Sequence, residues 1–214
     1  AKPVFEDRGR VVKRDSRIAN DANCFAVSEA TEGAAAGEDV VFGVSVGTGT
    51  GAGVVVRGHV LGGPNSIAGE WGHNPLPWPQ DSERPGPACY CGKHGCIETW
   101  LSGPGMSRDY PGLQGQTLDT RQIVVLSDEG EEAAELCLQR YEDRMARSLA
   151  HVINILDPDV IVLGGGMGNI DRLYDNVSKL WGQYVFSDHV VTKLVAPKYG
   201  DSSGVRGAAW LWNE

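Results

Sequence analysis

Val40 to Val46 is a nearly continuous apolar run, and after the glycines of Gly47-Thr48-Gly49-Thr50-Gly51-Ala52-Gly53 it resumes as Val54-Val55-Val56. The pattern predicts strand, glycine loop, strand. A further buried strand is expected over Val160 to Leu163, closed by Gly164-Gly165-Gly166. Between the two, Ala134, Leu138, Tyr141, Met145, Leu149, Val152 and Leu156 step by three or four. That spacing predicts a long amphipathic helix, stopped by Asp157-Pro158. Asn20 and Asp21 sit at a plausible cap for a shorter helix over 22–30, ending near Gly33. Asp171 to Tyr184 and Ser202 to Trp212 read as two more helices. Strands alternating with helices give an α/β class. Val4 to Val12 stands apart as a hairpin.

A 214-residue chain that is 41% hydrophobic can build a core, which excludes disordered and fibrous classes. Its 19 Lys and Arg against 28 Asp and Glu leave a net charge of -9, a field that repels phosphate backbones and anionic headgroups. No nucleic-acid partner is expected. No apolar run approaches the roughly 20 residues of a membrane span, so no membrane partner is expected either and a cytoplasmic placement is the expectation.

Pro64, Pro75, Pro77, Pro79, Pro85, Pro87 and Pro104 make the 62–105 stretch poor in regular structure, so something else must order it. Of the 5 cysteines, Cys89, Cys91 and Cys96 fall inside this stretch. Cys89 and Cys91 are too close for an easy disulfide, and Gly92 and Gly95 let the backbone fold around a tetrahedral ion. The fourth ligand should be a histidine. His94 would strain to reach the same ion from within the loop, whereas His73 can return to it through the prolines. Three thiolates and one imidazole leave no open position, so the ion would be structural zinc. The competing reading is three ordinary thiols.

The glycine loop has its own two readings. Successive backbone N–H groups could cradle phosphate, with Thr48 and Thr50 adding hydroxyls, or the segment is a plain turn. It is neither a Walker loop, having no Lys, nor a Rossmann fingerprint, which needs a following helix. Asp21, Glu70 and Glu98 are each compatible with a solvated surface acid, but a zinc knot would bring Glu70 and Glu98 together.

Asn20-Asp21-Ala22-Asn23, the Gly47 to Gly53 run, Gly69-Glu70-Trp71-Gly72-His73, the Cys89 to Glu98 knot and Gly164-Gly165-Gly166, in this order, resemble the ROK family of bacterial sugar kinases. Within it, the 70–78 run and Gly204-Val205-Arg206-Gly207-Ala208-Ala209 are most similar to the fructokinase/mannokinase group, with N-acetylglucosamine kinase the near relative. The resemblance implies an actin-like ATPase fold, two α/β lobes with ATP, Mg2+ and a hexose meeting in the cleft. It implies Asp21 as the general base on the sugar's terminal hydroxyl and Asn20 on another hydroxyl. Glu70, Glu98 and the zinc-free nitrogen of His73 would hold the rest. Gly47, Thr48, Gly49 and Gly51 would hold the phosphates, and Gly164, Gly165 and Gly166 would face the adenosine. His73, Cys89, Cys91 and Cys96 would hold the zinc.

Sugar-sensing repressors of the same family add a helix-turn-helix and tend to lose the base. Asp21 and the -9 charge favour the kinase. A homodimer is expected, with Trp181, Trp210 and Trp212 lining its surface or a core. The Asp-x-Gly-Gly-Thr turn with which such kinases begin does not occur in the 214 residues. The N-terminal lobe is therefore expected to be largely missing, with 1–16 a remnant hairpin and 17–214 the kinase lobe carrying its zinc loop at 69–98. Residues are expected to be omitted at a junction between Lys13 and Ile18.

Overall fold

The computed structural model describes residues 19–111 and 118–210. The Val4 to Val12 hairpin, the Lys13 to Ile18 junction and Trp212 lie outside the described residues.

Strand β1 (Val40–Val46) pairs antiparallel with β2 (Thr50–Val56), and β2 with the short β3 (His59–Val60). On its other side β1 runs parallel to β4 (Val160–Gly164), and β4 to β5 (Lys193–Val195), giving the order β3-β2-β1-β4-β5. Both faces of this sheet are covered. Phe42, Val44, Val46, Ile161 and Leu163 enter one cluster with the long helix α5 (Glu132–Leu156). Val41, Val55, Val160 and Val162 alternate into a second with Phe25 and Ala26 of α1 (Asp21–Thr31). Apolar side chains are needed on both faces, which is why β1 and β4 read as unbroken runs rather than alternating ones.

Helix α1 lies flush on the sheet because two strand glycines make room for it. A Cβ at Gly53 would stand 2.7 Å from the Ala22 carbonyl oxygen and 2.9 Å from the Asn23 Cα; one at Gly43 would stand 2.8 Å from the Ala26 Cα. The expected glycine loop is accordingly shorter than its sequence suggests. Gly51 and Gly53 are strand residues of β2, and the turn proper is 47–49. Across α1 lies α7 (Ser203–Trp210), where Gly207 meets the Cys24 backbone too closely for any side chain. The buried Glu29 carboxylate fastens the two by accepting from Ser203 Oγ at 2.6 Å and the Lys198 N–H at 3.1 Å.

The opposite face carries α2 (Ile97–Leu101), α3 (Gly103–Asp109), α4 (Thr120–Asp128) and α6 (Arg172–Leu180) around α5. The sequence reading left α4 out, although Asp119 and Gln122 form its capping box. It also ran the 171–184 helix through a 3-10 turn at Trp181–Gln183, where Trp181 fills the core. Trp210 is partly buried, its indole N–H donating to Glu32.

The proline-rich stretch has a second source of order besides its cysteines. Glu83, within it, is buried against two arginines of α5: Arg144 Nε donates to Oε1 at 2.7 Å and Arg147 Nη2 at 3.0 Å. Burial alone would raise the Glu83 carboxyl, but the Arg147 and Arg144 guanidiniums outweigh it and hold it below the ordinary range. Arg147 also donates to the Pro77 and Trp78 carbonyls at 3.1 and 2.7 Å, so the loop is clamped to α5. Among the described residues no helix is long and apolar enough to cross a membrane.

Candidate functional site

The Gly69-to-His73 segment is pressed against the edge of β2. A side chain at Gly69 would strike the Ala52 carbonyl and one at Gly72 the Thr50 carbonyl, and Gly69 has φ +89, so both positions suit glycine. Trp71 pins the segment from beneath: it is buried edge-on to Phe42, with centroids 6.0 Å apart, and its N–H donates to the Ser148 carbonyl at 3.3 Å. This packing brings Glu70 and His73 over the C-terminal end of β1.

His73, Cys89, Cys91 and Cys96 present ligand atoms that all lie within 4.8 Å of one another. Cys91 Sγ is 3.6 Å from Cys96 Sγ, and Cys89 Sγ is 3.6 Å from His73 Nδ1. Bonds of about 2.3 Å to sulfur and 2.0 Å to nitrogen make tetrahedral edges of roughly 3.5–3.8 Å, so these two pairs already stand at metal spacing. The thiols lack a counter-charge among themselves: burial and the neighbouring Cys91 and Cys89 sulfurs push Cys96 up to about 12. His94 is not a member of the cluster; its residue bridges back to Ala88 across the knot.

Beside the knot a cavity of about 440 Å³ gathers Asn20, Asp21, Glu70, His73 and Glu98 with Gly47, Thr48, Gly49 and Gly51. Asn20 caps α1 by accepting the Ala22 N–H through Oδ1 at 2.8 Å, which leaves its amide N–H groups for a ligand. Asp21 Oδ1 accepts the same N–H at 2.8 Å. Glu98, in the first turn of α2, accepts the Thr50 N–H through Oε2 at 2.9 Å, and that oxygen fits only because residue 49 is glycine. Three carboxylates thus converge on a small polar space, an acceptor set suited to a polyol.

Tyr90 lines the same cavity and was not singled out from the sequence. Its hydroxyl lies 2.7 Å from His73 Nε2, the nitrogen expected to meet the sugar. The signal was its position between two metal donors, which fixes its backbone beside them. Burial, then Glu98, Cys89 and Glu70, push its phenol up, keeping it protonated.

A larger cavity of about 930 Å³ meets the first at Gly47 and Thr48. It runs along the starts of α3 and α4, where Gly103, Pro104, Thr120 and Arg121 line it, and reaches Gly166 and Met167. Of the expected glycine triple, only Gly166 borders this cavity. Gly164 clears the Phe25 ring, and Gly165, at φ +78, clears the Val46 backbone. Each of these two therefore has a packing reason to be glycine.

The family model described as ROK matches residues 2–214. The chain belongs to the ROK family. It is 40% identical over 216 residues to an N-acetyl-D-glucosamine kinase of Photobacterium profundum, covering 95% of this chain and 71% of the relative. It is 38% identical to an N-acetyl-D-glucosamine kinase of Vibrio atlanticus, covering 98% of this chain and 71% of the relative. A ROK hexokinase structure from Thermus thermophilus superposes with a TM-score of 0.83 at 32% identity, covering 94% of this chain and 66% of that one. The ROK fold is the actin-like sugar-kinase fold expected from the sequence, and this chain is a sugar kinase of that family. The relatives named above are N-acetyl-D-glucosamine kinases, the neighbour that the sequence reading placed second.

Proposed function

We propose that this ROK protein transfers the γ-phosphoryl group of ATP to the terminal hydroxyl of N-acetyl-D-glucosamine. The observation that carries the reading is the junction of the two cavities. The small one, lined by Asp21, Glu70 and Glu98, shares the Gly47-Thr48 turn as a common wall with the large one. A sugar in the first and a nucleotide in the second would bring hydroxyl and γ-phosphate together there. The N-acetyl-D-glucosamine kinases at 38–40% identity support that sugar over fructose or mannose.

In this reading Asp21 accepts the proton of the attacking hydroxyl. With Oδ1 occupied by the Ala22 N–H, Oδ2 is the free acceptor. Phosphoryl transfer needs alignment and charge neutralisation more than covalent chemistry. The Gly47-Thr48 backbone supplies part of the first, and Mg2+ travelling with the ATP supplies the second. Asn20, Glu70 and Glu98 take ring hydroxyls. The donor set fits a structural zinc held by His73 Nδ1, Cys89, Cys91 and Cys96. Such an ion supplies no reacting group; it fixes the loop that carries the sugar-binding side chains. The Asp-x-Gly-Gly-Thr phosphate turn would come from an N-terminal lobe, in keeping with relatives of which this chain spans 71%.

The test is the rank order of sugars, by calorimetric binding and by coupled ADP release. N-acetyl-D-glucosamine should exceed glucose, mannose and fructose. A preference for fructose or mannose refutes the assignment, and binding without any turnover in the complete kinase would favour a sugar sensor.

A further inference from the structure

We propose that Cys91 is a site of reversible oxidation, where a peroxide joins it to Cys96, expels the zinc and loosens the small cavity. The inference rests on the fit of His73, Cys89, Cys91 and Cys96 to a zinc ion, not on the identity of the sugar. The three thiols of the knot differ in access. Cys91 is exposed, whereas Cys89 and Cys96 are only 9% and 1% exposed. Cys91 stands on a tip, residues 90–94, that is exposed throughout. Gly92, at φ +87, has no atom within 4 Å of where a Cβ would stand, so the tip has open space beside it. The base of the knot is fixed. The Leu76 N–H donates to the Gly95 carbonyl, the Ile97 N–H to Asn74 and the Glu98 N–H to Gly72, each at 2.9 Å. Cys96 is therefore the stationary partner and Cys91 the one that moves.

Reach selects the pair. Cys91 Sγ lies 3.6 Å from Cys96 Sγ, and closing to the roughly 2.05 Å of a disulfide takes an advance of about 1.5 Å. Cys89 is one residue removed from Cys91, too close for an easy bond, and its sulfur lies against His73 Nδ1 at 3.6 Å. Metal-binding cysteines are thiolates, and the thiolate is also the nucleophile toward peroxide. The Cys91 sulfur attacks one peroxide oxygen, the O–O bond breaks, hydroxide leaves and a sulfenic acid forms. The Cys96 sulfur then attacks Cys91: the S–S bond forms, the S–O bond breaks and a second hydroxide leaves. The two sulfurs have given up two electrons, the peroxide has taken them, and solvent protons turn both hydroxides to water. Two of the four donors have then lost their charge, so the ion departs as Zn2+ with its oxidation state unchanged. Glu98, two residues after Cys96, and Glu70, three before His73, are left on segments that no ion joins.

Hydrogen peroxide added to the zinc-loaded full chain should release its zinc, read with a chromogenic chelator, together with the loss of two hydrogens by mass. Trypsin cuts after Arg57, Lys93 and Arg108, while Pro85 shields Arg84, so the new bond should tie peptide 58–93 to peptide 94–108. Fragmentation of the tied pair should place the bond at Cys91, with Cys24 and Cys137, both buried, still alkylated as free thiols after unfolding. Calorimetric binding of N-acetyl-D-glucosamine should be abolished in the oxidised chain, and dithiothreitol with zinc should restore mass, metal and binding. A bond at Cys89, a sulfinic or sulfonic acid in place of any bond, or zinc kept by the oxidised chain overturns the proposal. So does oxidation of Cys24 or Cys137 as readily as of Cys91, which reports unfolding rather than a site. Undiminished sugar binding by the oxidised chain overturns the coupling to the cavity.

Discussion

Gly49→Ala separates recognition from stability. A Cβ at residue 49 would stand 2.8 Å from Glu98 Oε2 and 3.7 Å from its Cδ, with no backbone atom in reach. Ordinary contact begins near 3.4 Å, so the carboxylate must retreat by about 0.6 Å. Its 2.9 Å bond to the Thr50 N–H then stretches to the limit of a hydrogen bond. Hydrogen bonds to charged groups are worth about 1.5–3 kcal/mol, so a displaced Glu98 should weaken sugar binding by roughly 10- to 100-fold. Stability should hardly move. The atom that yields is the end of a flexible side chain, and replacing glycine restricts the unfolded chain by about 0.4–1 kcal/mol. Gly53→Ala is the contrast, since its Cβ would meet α1 backbone that cannot yield cheaply. It should lower stability by about 1–3 kcal/mol, or several degrees in Tm. Calorimetric titration and thermal denaturation of both variants decide the matter. Gly49→Ala with unchanged sugar affinity would remove Glu98 from the binding site. A Gly49→Ala chain as unstable as Gly53→Ala would show that the turn, not the carboxylate, gives way.

Asp21→Asn should retain sugar binding while turnover in the complete kinase falls by about two to four orders of magnitude; near-normal turnover would exclude Asp21 as the base. Elemental analysis should find one zinc per chain. Its removal should abolish sugar binding while far-UV circular dichroism keeps the α5 signal, because the Glu83 clamp to Arg144 and Arg147 survives; unimpaired binding by metal-free protein would separate the knot from the site. Glu135 has its carboxyl held at about 2, against 4.5 ordinarily, chiefly by the Arg172 guanidinium. A depressed carboxyl contributes stability above its unfolded value and loses it on acidification. The stability advantage of wild type over Glu135→Gln should therefore be full at pH 5 and fade as pH falls toward 2, in low salt because the pair is partly exposed. An advantage independent of pH over that range would contradict the ion pair.

The sequence by itself determined what depends on near neighbours. The runs of β1 and β4, the three-and-four spacing of α5, the Asn20 cap and the spacing of Cys89, Cys91 and Cys96 are set by residues within a few positions of one another. Their geometry follows from local backbone physics. Only the tertiary structure decided which glycines serve the turn and which make room. Gly53 proves to be a strand glycine that clears the α1 backbone whereas Gly51 lines the small cavity, and Gly164 and Gly165 clear the Phe25 ring and the Val46 backbone. The Glu83 clamp joins residues 61 and 64 positions apart, and the Thr50 bond that orients Glu98 spans 48. Tyr90 carries no motif of its own. Its hydroxyl faces His73 because the metal knot folds 17 residues of chain back on themselves, a closure that no local pattern encodes.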